Sequence, residues 1–204
     1  MDDLQQAKHP VTALAGWYGH PLHPALVSIP IGAWVASVAF DVASHVTGDA
    51  AFLVPAAGWL LVVGLVGAAG AGLVGFLDLF AIPSGTRAFR TGLLHMALTL
   101  SASVVFVLDA LLRRNIDTSR PTGFGLLALS VAGLLILLGG GYLGGELAFR
   151  YGVRVVEERH QAEGYRQPHS RHASGLDERP SNPGNPHSPD GAPNSHSHRR
   201  RRLT

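Results

Sequence analysis

Between Pro21 and Thr86 the chain carries not one lysine or arginine, and apolar residues fill most of that distance. A soluble domain needs surface charge far more often than this. Apolar runs at residues 24–46, 52–80, 92–112 and 123–147 are each long enough for a hydrocarbon core, which takes about 20 helical residues to cross. Inside a bilayer no water satisfies exposed backbone groups, so such runs are helices that pair their own N–H and C=O. A soluble bundle would need amphipathic partner helices, and none is present. The fold class that follows is all-α: a polytopic membrane protein, an antiparallel four-transmembrane-helix bundle.

The rest of the chain divides around this body. Residues 1–19 form an N-terminal segment without the basic-then-apolar order of a cleaved signal. Residues 20–159 form the transmembrane domain. Residues 160–204 are rich in Pro, Gly, Ser, Arg and His with almost no branched apolar residues, a composition that predicts a disordered basic tail. Fourteen of the sixteen Lys and Arg lie at or beyond Arg90, so the basic balance belongs largely to that tail and gives no reason to expect nucleic acid as a partner. Placing the tail, Lys8, Arg87 and Arg90 inside predicts cytoplasmic N- and C-termini in a bacterial inner (plasma) membrane, with Arg113, Arg114 and Arg120 as exceptions outside. The lipid bilayer is then the first partner. Rows of small residues every fourth position, Gly64, Ala68 and Gly72 among them, read as helix-packing faces, or alternatively as a homodimer seam. Pro30 is expected to bend the first helix. The chain has no cysteine, which excludes disulfides, thiolate metal sites and covalent c-type haem within it.

Ionisable residues in a membrane are costly and mark candidate sites. They sort into two layers by helix order. The inner layer holds His20 and His23, Asp78, His95 and Glu146; the outer layer holds Asp41, His45 and Asp109. Asp78 and Glu146 are expected to pair with Arg87 and Arg90, and Asp41 and Asp109 with His45 and Arg113 at i+4 spacing. His95 and Asp109 are fourteen residues apart, close to four turns, and so share one helix face with Thr99, Ala102 and Phe106. Imidazoles from two helices at one depth are what a b-type haem needs, because neutral nitrogen on both sides holds the iron without Cys. His23 and His95 are the candidate axial or metal ligands, with His20 as substitute. The same set of histidines and carboxylates would equally suit a divalent metal or a proton relay.

Gly19-His20-Pro21-Leu22-His23-Pro24 leading to Ile29-Pro30-Ile31-Gly32, then Asp78 with Ile82-Pro83-Ser84-Gly85-Thr86-Arg87-Ala88, then Gly92-Leu93-Leu94-His95, and Gly144-Gly145-Glu146 running to Tyr151-Gly152-Val153 together resemble a bacterial membrane family labelled domain of unknown function 2231. The resemblance covers Tyr18 to Val156. It implies an inner-membrane four-helix module, some relatives of which are fused to Rieske-type iron–sulfur domains, and hence electron transfer. The family brings no established activity and assigns no role to the motif residues. A redox partner of this chain would be a separate protein.

The functional expectation is a membrane subunit that binds haem b or serves a redox partner, an electron carrier rather than an enzyme. The alternatives are a small transport or proton-handling protein that uses Asp78, His95 and Glu146 without a cofactor, and a structural or assembly subunit.

Overall fold

The computed structural model describes residues 3–165, so most of the tail expected at 160–204 lies outside the described residues. Four helical spans cross the length of a bilayer: Leu22–Val46, Ala50–Leu79, Arg87–Asn115 and Phe124–Arg150. Their outward faces stay apolar, with Trp59, Val66, Leu73, Leu135 and Leu138 all exposed. Such a surface suits lipid and not water. The all-α membrane bundle expected from the sequence is the fold observed.

A short helix α1 (Asp3–Lys8) opens the described chain, followed by a 3₁₀ turn at Ala13–Ala15 and a two-residue hairpin, β1 (Gly16–Trp17) and β2 (His20–Pro21). Gly16 has a φ of 91°, and a Cβ there would sit 2.3 Å from the His20 carbonyl oxygen, so only glycine closes this hairpin. The first span is broken into α2 (Leu22–Leu26) and α3 (Ser28–Val46). Pro30 explains the break. It has no N–H to give the Leu26 carbonyl and its ring crowds that same carbonyl, so the helix loosens one turn earlier. The second span is α4 (Ala50–Leu79).

The third, α5 (Arg87–Leu112), begins five residues before the apolar run at 92–112. Thr86 caps it, its hydroxyl accepting from the Phe89 N–H at 3.1 Å, which lets the polar residues Arg87 and Arg90 join the helix ahead of the apolar run. The fourth, α6 (Phe124–Gly145), runs into a wider π turn at Glu146–Arg150. Beyond it the chain folds back, the Val153 N–H reaching the Leu147 carbonyl at 2.9 Å. A last helical turn, α7 (Glu158–Gln161), and a 3₁₀ turn at Ala162–Tyr165 carry described structure six residues past the expected start of the tail.

At the bundle centre Trp34 stacks on Phe106, ring centroids 4.0 Å apart, with Leu61 beside them. Gly64 and Gly133 make room for this stack: a Cβ at Gly64 would fall 2.2 Å from the Trp34 Nε1, and one at Gly133 would fall 2.9 Å from the Phe106 ring. The small-residue rows are therefore used, at these positions, to pack helices within one bundle.

Candidate functional site

His23 and His95 approach each other at the end of the bundle next to the β1–β2 hairpin, their ring centroids 6.1 Å apart and their planes at 89°. Each ring is fixed through Nδ1 to a backbone carbonyl, His23 to Ala71 on α4 at 2.8 Å and His95 to Gly140 on α6 at 2.8 Å. A carbonyl only accepts, so Nδ1 carries the proton and Nε2 of a neutral ring keeps its lone pair. Backbone groups thus set the orientation and the tautomer of both imidazoles.

The two histidines occupy equivalent places in two copies of one helical hairpin. Leu22-His23-Pro24-Ala25-Leu26 is matched 72 positions later by Leu94-His95-Met96-Ala97-Leu98, and Trp34 by Phe106 at the same interval. On the returning helices Gly64, Gly72 and Gly75 are matched by Gly133, Gly141 and Gly144. The contacts repeat as well. Gly75 lies against the His23 ring and Gly144 against the His95 ring, where a Cβ would come within 2.7 and 3.1 Å respectively. Two parallel hairpins of this kind are related by an axis along the membrane normal, and sites in such proteins fall at the repeat interface. The recurrence of Leu-His-x-Ala-Leu is the sequence signal that would have joined His23 to His95 and set His20 apart.

Space surrounds the pair. A cavity of about 370 Å³ extends from the two histidines toward Trp34, Leu137 and Phe149. A smaller one of about 130 Å³ runs the other way, toward Asp78 and Arg154. Glycines 72 and 144 are in the walls of both.

Arg154 is the residue that sequence reading missed. It is buried, holds a left-handed backbone (φ 61°), and sends Nη2 to the Ala15 and Gly16 carbonyls at 2.8 and 3.3 Å. Its Nε lies 2.9 Å from the Asp78 Oδ1. The N–H does not point along that line, so the contact is an ion pair in which neither atom has a hydrogen bond. Asp78 thus pairs with Arg154 rather than with Arg87 or Arg90, which remain exposed on the first turns of α5. The reason is the fold-back after α6, which brings a later arginine to the buried side of Asp78.

Glu146 also departs from expectation. It pairs with Arg150 at 2.9 Å and accepts from the Tyr151 hydroxyl at 3.4 Å, one helical turn away along its own chain. His20 is exposed on β2, outside the cavities. Among the described residues no three His, Asp or Glu side chains gather closely enough to hold one metal ion.

The outer layer is a closed ion network. Arg113 reaches Asp41 through Nη1 at 2.8 Å and Nη2 at 2.6 Å, and Asp109 through Nε at 2.9 Å. Thr122 donates to Asp41 at 2.6 Å and Ser130 donates to Asp109. Asp41 therefore pairs across helices with Arg113 and not with His45, which is exposed and stacks on Phe124 at 4.9 Å. The i+4 pair of Asp109 with Arg113 is present.

A family model described as a predicted membrane protein (DUF2231) matches residues 19–157. The chain belongs to this family. No curated protein and no solved structure matches it. The matched range includes His23, Asp78 and His95, which line the smaller cavity.

Proposed function

We propose that this DUF2231 protein is an electron-carrying membrane subunit that binds haem b between His23 and His95. The observation that carries the reading is the matched pair of imidazoles, each with Nδ1 committed to a backbone carbonyl and Nε2 left as a ligand nitrogen. Two metal–nitrogen bonds of about 2 Å, with a ring radius at each end, span roughly 6 Å between ring centres. The 6.1 Å separation of the ring centres is of that size. A tetrapyrrole offers the same face on both sides, which suits a ligand lying on the axis between two equivalent hairpins. The glycines beside the rings leave backbone, not side chain, next to a flat ligand. When bound, the haem would supply one-electron chemistry; the chain supplies the axial nitrogens, their tautomers and a water-poor surround.

The bilayer orientation follows the same reading: termini cytoplasmic, the His pair near the inner face of a bacterial plasma membrane, and the electron partner a separate protein. Arg113 is buried against Asp41 and Asp109, so of these three arginines only Arg114 and Arg120 are exposed at the surface, Arg120 paired with Asp117. This eases the one exception to the charge rule.

The test is an absorption spectrum of the purified protein before and after dithionite. A Soret band with sharpened α and β bands on reduction is expected, lost in both His23→Ala and His95→Ala and kept in His20→Ala. Protein that takes up no haem on reconstitution would leave a bundle whose polar residues only fix its packing.

A further inference from the structure

The two cavities beside the histidines differ in character, and the difference specifies the ligand further. Toward Trp34 and Phe149 the lining is mostly apolar, with Thr99 and Ser103 its only hydroxyl side chains. Toward the inner face the hairpin repeat breaks. Where the second copy has Leu147, the first has Asp78, and Arg154 is drawn in beside it. The Arg154 side chain is 5 % exposed, yet Nη1 has no hydrogen-bond partner among the described residues. Nη2 is spent on two carbonyls and Nε faces Asp78 without a bond. Buried guanidinium donors are rarely left idle, and each such group calls for a missing acceptor. Its left-handed backbone is a strained conformation for a non-glycine residue, of the kind that clusters at ligand clamps.

We propose that Arg154 is the anion subsite of the ligand held by His23 and His95, receiving a carboxylate on the inward edge of the macrocycle, with Asp78 positioning the guanidinium. This rests on the haem reading above. The carboxylate would take the spare Nη1 donors as a charge-assisted pair. Asp78 competes for the same cation, so it sets how strongly the ligand acid is held. Trp34 and Leu137 would face the apolar edge of the macrocycle, and Arg154 its acid edge.

The experiment compares haem with its dimethyl ester, in which both carboxylates are blocked, by optical titration of full-length haem-free protein in detergent. Wild type is expected to bind the free acid about tenfold or more tightly over the ester. Arg154→Gln should remove that preference, so that acid and ester bind alike. Asp78→Asn, which frees the guanidinium, should widen it several-fold. Folding of Arg154→Gln is checked by its unfolding transition in detergent, and if it fails to fold, wild type and Asp78→Asn still decide the matter. Equal affinity of wild type for acid and ester would overturn the subsite and leave axial ligation standing. An undiminished preference in folded Arg154→Gln would do the same. Binding of neither form would remove the haem reading and the subsite with it.

Discussion

Replacing Arg113 with methionine should be among the most damaging single changes in the bundle. The guanidinium makes three contacts of 2.6 to 2.9 Å to Asp41 and Asp109, and both carboxylates are fully buried. Charge-assisted hydrogen bonds contribute about 1.5–3 kcal/mol each, so simple addition gives roughly 4.5–9 kcal/mol. That sum overstates the loss, because Asp41 keeps its bond from Thr122 and Asp109 its bond from Ser130. Removing one partner of a buried ion pair costs about 3–5 kcal/mol, and Arg113→Met is expected within that range. Arg120→Met is the control. Its pair with Asp117 is 83 % and 57 % exposed on the two side chains, and solvent screening should leave its loss with little effect on stability. The assay is unfolding in mixed micelles of mild detergent and SDS, followed by tryptophan fluorescence in a background with Trp17 and Trp59 replaced by Phe, so that Trp34 reports. The triple variant Arg113→Met, Asp41→Asn, Asp109→Asn should regain at least half of the lost stability, since no uncompensated charge remains. If Arg113→Met is no worse than Arg120→Met, or the triple variant no better than the single one, the network does not hold the outer half together as argued.

Gly64→Ala should destabilise by about 1–3 kcal/mol, because its Cβ would enter the stacked Trp34 ring, whereas Gly58→Ala, with open space around it, should be neutral in the same assay. Gly75→Ala should displace the His23 ring and lower haem content in purified protein, while Gly70→Ala leaves it unchanged; equal haem in both would count against a fixed His23. The natural absence of cysteine makes topology simple to read. A single cysteine at Gly48 should react with an impermeant maleimide added to intact cells and one at Ser84 should not, the reverse result placing the histidine pair at the opposite face.

The sequence by itself determined the class and the span count, because a stretch free of Lys and Arg and apolar for several helix lengths has no stable home outside lipid. It also separated the two polar layers, since depth along an antiparallel bundle follows from position in the chain alone. Pairing was another matter. Local spacing identified Asp109 with Arg113, a bond made within one helix. Asp41 found its cation on another helix, and Asp78 found Arg154 only because the chain turns back after α6 and adopts a left-handed residue there. Nothing in i+4 spacing encodes such returns. The repeated Leu-His-x-Ala-Leu was legible as letters, but its meaning depended on both hairpins closing face to face. Tertiary structure decided which of His20 and His23 enters the bundle: the hairpin of β1 and β2 holds His20 outside, and the Ala71 carbonyl draws His23 in.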